Sequence, residues 1–432
     1  MTLAGNMEPA LPRQIPVAVL GGCAFAAVLV MLAFPRAAHV AYAVLALLAG
    51  LGLWQRGGIG AAFRLDAGAL LWVALLGYLG LSLAWSQDAK GALPKIALLA
   101  AYAGLLRLAL AGLAGESERV IGRLGRSVAW AALVGAGFIC FQVLTDQAFT
   151  TLLLKISPKL GPDLKHLQVV NGQVAHANDY VINRNCAALS VLLWPALAML
   201  TRFGKAGMAR FLALGLFALA GVAILRSPHE TSQLALIFSA AVFALAWLAP
   251  AAARRLVMAG WMLATLAVVP IALLAFRADL HHAMKIPESG RARIILWNYT
   301  AEQTLKAPLL GTGVGSTEAI SARHMRTAER PEGFVYPLDT GRHSHDVYLQ
   351  TWFELGAVGA VFLLLLGLGP LGWIARQPEL FQPYALAAFT SAATIAAFSY
   401  GVWQEWFEAL FFASIVATRL AGEFVGRGNA KQ

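Results

Sequence analysis

Apolar residues in this chain come in long uninterrupted stretches, not at strand alternation or at the one-sided spacing of a surface helix. A helix rises about 1.5 Å per residue and the hydrocarbon core of a bilayer is about 30 Å thick, so about 20 consecutive apolar residues cross it. Twelve such runs predict transmembrane helices, at about 15–34, 37–54, 67–85, 94–114, 127–145, 180–202, 207–225, 231–249, 255–276, 346–374, 382–402 and 405–422. The first run leads directly into the second, which marks it as a retained helix and not a cleaved leader. Two polar interruptions, about 146–179 and about 277–345, are too long for simple turns. The predicted organisation is therefore helices one to nine within 1–276, including the shorter loop, then a large loop at 277–345, then helices ten to twelve and a tail in 346–432. Within the large loop, 292–306 (ARIILWNYTAEQTLK) reads as an amphipathic helix carrying Ile295, Trp297, Tyr299 and Leu305. The loop is thus expected to be partly folded.

Composition supports this fold class, an all-α polytopic membrane protein. Hydrophobic residues make up 59% of the chain and charged residues 13%, and the mean hydropathy is +0.67. Soluble domains run near 45–50% apolar and about 25% charged, so a water-soluble enzyme, a disordered chain and a secreted disulfide scaffold are excluded. Cys23, Cys140 and Cys186 all sit in apolar runs without metal-binding or disulfide spacing and read as packing residues.

The net charge of +11 is distributed as a topology signal, which removes the case for nucleic acid as a partner. Alternate inter-helix segments hold Arg13, Arg56, Arg64, Arg119, Arg123, Arg126, Arg202, Lys205, Arg210, Arg254, Arg255, Arg376, Arg427 and Lys431, whereas the short loops between them hold only Arg36, Lys90, Lys95 and Arg226. Excess Lys and Arg faces the cytoplasm. Both termini are expected there, consistent with an even number of spans, and both long loops on the periplasmic face. The large loop has nine basic and seven acidic residues, but long loops translocate largely regardless of charge.

Candidate chemistry gathers on that face. Arg184 lies in YVINRNCAALS between Asn183 and Asn185, and Arg226 ends its run in ILRSPHETSQ. Arg291 and Arg293 lie in ESGRARIILW of the large loop, and His343 and His345 in GRHSHDVYLQTWFELGAVG before the tenth run. Guanidinium is planar, permanently charged and matched to phosphate oxygens. A histidine that titrates near neutrality suits proton abstraction from a hydroxyl. Together they match transfer from a lipid pyrophosphate to a hydroxyl acceptor. Structural alternatives stand beside this: Arg184 snorkelling to the interface, Arg226 as a helix C-terminal charge, Arg291 and Arg293 as solvated loop charges, and both histidines as packing groups. A metal pair at His343 and His345 is disfavoured, because two residues one apart share a face only in a strand and no acidic or Cys cluster completes a site. Glu354 lies one or two turns past His345, near enough to support it electrostatically, while Gly356 and Gly359 permit close helix packing. His281 and His282, beside a span end, read as interface residues, and His39, His166, His176, His229 and His324 show no usable pattern.

The segment HDVYLQTWFELGAVG (345–359) resembles the O-antigen ligase family and its relatives, the O-antigen polymerases and protein O-oligosaccharyltransferases. The family pattern there is His-Asn, an aromatic or aliphatic pair, then Glu-x-Gly-x-x-Gly, with Asp346 in the place of the Asn. The stretch RARIILWNYTAEQTLKAPLLGTGVGS (291–316) is similar to the family's Arg, Trp, then Pro-Leu-x-Gly-x-Gly region, whereas LRSPHETSQLALI matches its Ser-Arg-Gly stretch only loosely. The resemblance implies a glycan donor linked to undecaprenyl pyrophosphate, a lipid A–core acceptor, membrane lipids as surroundings, no nucleotide sugar and no metal or other cofactor. It makes His345 the candidate base and Arg291 and Arg293 candidate pyrophosphate ligands; beside these, His343 is a further catalytic candidate, and Trp297 and Glu354 are further substrate-binding candidates. Arg184 and Arg226 join that group on position and chemistry. A polymerase or protein-glycosylating enzyme would use the same donor. A lipid-carrier transporter fits less well, since it would show polar groups at the bilayer midplane and internal symmetry.

Overall fold

The computed structural model describes residues 15–156, 167–170, 173–331 and 336–429. Arg13, His166, Glu332 and Lys431 lie outside the described residues. The first half contains α1 (Val17–Ala33), α2 (Ala38–Gln55), α3 (Ala67–Ser82), α4 (Ala89–Ala114), α5 (Glu118–Leu144) and α6 (Ala148–Ile156). A small antiparallel hairpin, β1 (Leu167–Val170) and β2 (Gln173–Ala177), follows. Then come α7 (Asn183–Leu200), α8 (Ala206–Arg226), α9 (Glu230–Leu248), α10 (Pro250–Leu266) and α11 (Val268–Arg277). The large loop holds α12 (Glu288–Thr304) and α13 (Ser316–His324), and the chain closes with α14 (Val347–Ile374), α15 (Gln382–Phe398) and α16 (Glu405–Asn429).

Each of the twelve apolar runs falls on helix. Among the described residues, eight helical stretches are long and apolar enough to cross a membrane, and α10 with α11 forms a ninth candidate bent by 74°. The apolar helices α1 and α3 are shorter, at 17 and 16 residues, as is α15 at 17. Polar caps set several starts. Asp66, Asp88 and Ser117 accept hydrogen bonds from the backbone N–H groups of Ala69, Gly91 and Val120, at 2.8, 3.0 and 3.3 Å. The Ser117 cap lets α5 begin nine residues before the apolar run at 127, because the first turns outside the apolar stretch carry Glu118, Arg119, Arg123 and Arg126.

α7 is the hub of the bundle, and every residue from Asn185 to Leu200 is buried. Its polar groups bond neighbours: Asn185 Nδ2 donates to the Leu32 and Ala33 carbonyls, and the Ser190 and Val191 carbonyls accept from the hydroxyls of Ser391 and Ser414.

The tenth run is not one continuous helix. At Gly356 the backbone turns to φ 62°, ψ −159°, a left-handed conformation that favours glycine. An unbroken helix would pair the Phe353 and Glu354 carbonyls with the N–H groups of Ala357 and Val358. Here the Phe353 and Glu354 carbonyls accept from Thr312 N (3.0 Å) and Gly313 N (2.9 Å). The freed N–H groups of Ala357 and Val358 donate to the carbonyls of Pro308 (2.9 Å) and Leu309 (3.4 Å). Tyr78 Oη on α3 donates to the Leu355 carbonyl at 2.8 Å. The loop segment 308–313 therefore plugs the break. It lies so close that a Cβ on Gly311 or Gly356 would collide with the opposing backbone, and both have positive φ.

Asp346 caps α14, its Oδ1 accepting from Leu349 N at 3.0 Å. It is buried.

Gly311→Ala and Gly356→Ala are each expected to lower stability by about 2 kcal/mol or more, from left-handed strain plus the clash. Thermal unfolding of the detergent-solubilised protein measures this, and an unchanged midpoint in both variants contradicts the plug.

Candidate active site

Five separate parts of the chain meet around His345. The first is the connection into α14. His345 adopts φ 56°, rare for a residue with a Cβ and a form of strain concentrated at functional positions. With this turn the His343 and His345 rings lie 4.1 Å apart. The pair are neighbours without a strand, which corrects the geometric argument made from their spacing. Trp297 on α12 steadies the segment by donating from Nε1 to the Ser344 carbonyl at 2.8 Å.

The second part is the turn after α15. The apolar run extends to about 402, but the helix ends at Phe398. Ser399 turns out of helical geometry and its carbonyl accepts from His345 Nδ1 at 2.7 Å. That bond fixes the proton on Nδ1 and leaves Nε2 with a lone pair. Gly401 follows, where a Cβ would lie 2.5 Å from His343 Cβ. Tyr400 packs on Trp406 and Phe407, with ring centroids 4.7 and 5.2 Å away.

The third part is His229, between α8 and α9. It is buried, with Nδ1 2.6 Å from Ser232 Oγ and Nε2 3.0 Å from Ser399 Oγ. The fourth is Arg293 on α12, close enough to His229, His343, His345 and Tyr400 to act on all of them. Arg184 completes the group from the first turn of α7, its guanidinium carbon 5.7 Å from the Trp406 ring centroid and its charge felt at Tyr400.

The electrostatics favour an anion. Burial, then His345, Arg293 and Arg342, push His343 down to about 3. Burial lowers His345 to about 4, the Ser399 carbonyl opposing and Arg293 reinforcing the shift. Burial and Arg293 lower His229 to about 3. All three imidazoles are neutral at pH 7. Burial also disfavours the charge on Arg293, which Glu230 and Tyr400 partly restore. A half-desolvated guanidinium among neutral rings would gain from an anionic ligand. In neutral His345 the Nε2 lone pair is left to accept a proton.

An apolar cavity of 590 Å³ lies in the bundle beside this cluster. Trp297, Asp346 and Phe398 line it at the cluster end, and Phe238, Trp261 and Phe389 line it farther along.

Other expected site residues are placed differently. Arg226 is exposed at the end of α8. Arg291 lies two residues from Arg293, about 200° round the helix, with Nη1 3.8 Å from Met284 Sδ. Glu354 is occupied by its own chain. Its carboxylate accepts from Gly315 N (2.6 Å), Thr317 N (3.3 Å) and Thr317 Oγ1 (2.5 Å) at the start of α13, and from Gln350 Nε2 (3.0 Å) and Trp403 Nε1 (2.6 Å). This corrects its expected substrate contact to a clamp. Gln350 carries the clamp to the turn after α15, its Oε1 accepting from Val402 N at 3.2 Å. Sequence reasoning missed His229, Ser399 and Tyr400. The only signal was the polar Ser-Tyr-Gly interruption near the end of an apolar run.

Residues 215–364 match the family model described as O-antigen ligase. Proteins named provisionally as polysaccharide ligases are similar over a comparable span. One from Rickettsia conorii is 25% identical over 52% of this chain and 54% of its own length. Others from Rickettsia felis and Rickettsia bellii are each 27% identical, over 52% and 54% of this chain and 55% and 57% of their own lengths. The chain thus spans about half the length of the curated relatives it matches. The stretch similar to the O-antigen ligase model runs from α8 through α12 and α13 into α14 and carries His229, Arg293, His343 and His345.

Proposed function

We propose that the protein transfers a glycan from undecaprenyl pyrophosphate to a sugar hydroxyl of lipid A–core, at the periplasmic face of the bacterial inner membrane. The observation carrying this reading is the juxtaposition of neutral His345 and Arg293, with their neighbours Asp346, Trp297 and Phe398 lining a 590 Å³ apolar cavity. The cavity suits a polyprenyl tail, and the arginines suit the pyrophosphate to which it is joined.

In this mechanism Arg293, assisted by Arg184 and on the outer side by Arg291, holds the pyrophosphate and offsets the charge that grows as it leaves. The acceptor hydroxyl attacks the anomeric carbon, and the bond from that carbon to the pyrophosphate oxygen breaks with its electron pair staying on the oxygen. His345 Nε2 takes the hydroxyl proton. Attack opposite the leaving group inverts the anomeric carbon. The negative pyrophosphate cancels the repulsion between Arg293 and a protonated His345, so donor binding raises the basicity of His345 when proton transfer requires it. Trp297 and Glu354 position the site, and the mechanism uses no metal.

Purified protein in nanodiscs with carrier-linked glycan and rough lipopolysaccharide gives the direct test. Transfer to lipopolysaccharide supports the reading. Elongation of a carrier-linked glycan in its place indicates a polymerase, and modification of an added pilin-type protein indicates a protein glycosyltransferase. His345→Ala is expected to reduce kcat by about 100-fold or more while donor binding persists, and normal turnover removes His345 as the base. In the native enzyme, the acid limb of kcat/KM should lie below the ordinary histidine range, toward pH 4. Arg293→Ala is expected to raise the donor KM by about 10-fold or more, and Arg293→Lys, charged but without the forked donors, to recover only part of that loss.

A further inference from the structure

We infer that Asp279, His281 and His282 bind one divalent transition-metal ion of the Zn²⁺ class, where the bent α10–α11 pair passes into the large loop. One ligand atom from each of these residues lies within 4.8 Å of the others. Asp279 Oδ1 is 2.6 Å from His282 Nδ1 and 3.6 Å from His281 Nε2. Tetrahedral ligands at about 2.0–2.1 Å from Zn²⁺ stand about 3.3 Å apart. The 3.6 Å separation of Asp279 from His281 is close to this, and the 2.6 Å separation from His282 would lengthen by about 0.7 Å as a hydrogen bond is exchanged for a metal bond.

The local backbone is shaped for this. Asp279 has φ 57°, a left-handed turn directly after α11 that places its carboxylate beside two histidines following in sequence. His281 is fixed by stacking on Phe276, with centroids 4.2 Å apart and planes 6° from parallel. Its side chain is 7% exposed, against 50% for His282 and 70% for Asp279. One ligand is anchored and two face solvent, which provides an entry path and room for a water as fourth ligand. The C-terminal end of α11 adds a negative dipole that favours a cation. Two imidazoles and one carboxylate select Zn²⁺, Ni²⁺ or Cu²⁺ over Mg²⁺ or Ca²⁺, which prefer all-oxygen sites.

The short helical turn Leu280–His282 packs on both α11 and α12. An ion there would stiffen the turn that lies between α11 and the helix that bears Arg293. The assignment does not depend on the glycosyl-transfer reading, because metal uptake is measured without a substrate.

The test is calorimetric titration of ZnCl₂ into the full chain, purified without a histidine tag and stripped with chelator, alongside Co²⁺ absorption spectra and thermal unfolding with and without Zn²⁺. The expected result is one saturable site, a tetrahedral Co²⁺ spectrum and a melting temperature raised by Zn²⁺. Asp279→Asn and His282→Ala alter exposed side chains and leave the His281 stack in place. Each should weaken binding by about 10-fold or more and abolish the thermal shift. No saturable uptake by the native chain, or uptake that survives both substitutions, overturns the assignment.

Discussion

A backbone group without a hydrogen bond is several kilocalories per mole too costly to leave in a membrane, and the break at Gly356 creates four such groups at once. The chain satisfies them with another piece of itself. Pro308 and Leu309 offer carbonyls, and Thr312 and Gly313 offer N–H groups, at the positions where the next helical turn would have supplied them. This exchange requires backbone-to-backbone approach. Glycine is therefore required on both sides of the contact, at 311 and at 356. The large loop is consequently fastened into the bundle, and α13 begins where the plug ends, with the Glu354 carboxylate at its N-terminus.

The candidate site inherits its precision from this fastening. The short segment of α14 before the break, Val347–Leu355, carries Gln350 and Glu354 on its body and Asp346 as its cap. Through Gln350 and Trp403 it is tied to the turn after α15, whose Ser399 carbonyl sets the His345 tautomer. The same break that shortens a membrane helix thus frees a rigid stub on which the histidine pair is mounted. The strain at His345 and the burial that keeps it neutral are sustained because surrounding groups are already committed.

Much of this was legible in the sequence for a simple reason. Bilayer thickness imposes a length and a composition on each helix, and both can be read along the chain, so every apolar run lies on helix. The edges were less legible. Ser117 extends α5 into a charged stretch, and Ser399 ends α15 inside an apolar one. Among the candidate site residues, Arg293 and His345, which the structure brings together, stood out in the sequence because their side-chain types fit pyrophosphate and proton transfer. His229 and Tyr400 were not, because their importance lies in contacts to Ser399, Arg293 and Trp406 from distant parts of the chain. Arg291 and Arg293 looked equivalent as a pair, but helical geometry turns them to different sides. Asp346 is explained by capping, where Asp and Asn are nearly interchangeable as acceptors.

Glu354 illustrates why an acidic residue near a candidate base need not act on substrate. Five donors surround its carboxylate, drawn from α13, from α14 and from the turn after α15. A charge buried to this degree is tolerable only when its acceptor sites are filled, and filling them brings three elements to one point. The two sequence stretches that resemble the O-antigen ligase pattern, 291–316 and 345–359, thereby form one physical unit. Arg293 enters from the first and His345 from the second. Gly311 seats against Gly356 and Gly315 against Glu354, which holds the two stretches in register. The spacing of arginine, glycines, histidine and glutamate along the chain follows from that contact, since a shift in either stretch would separate the guanidinium from the imidazole and unseat the plug together.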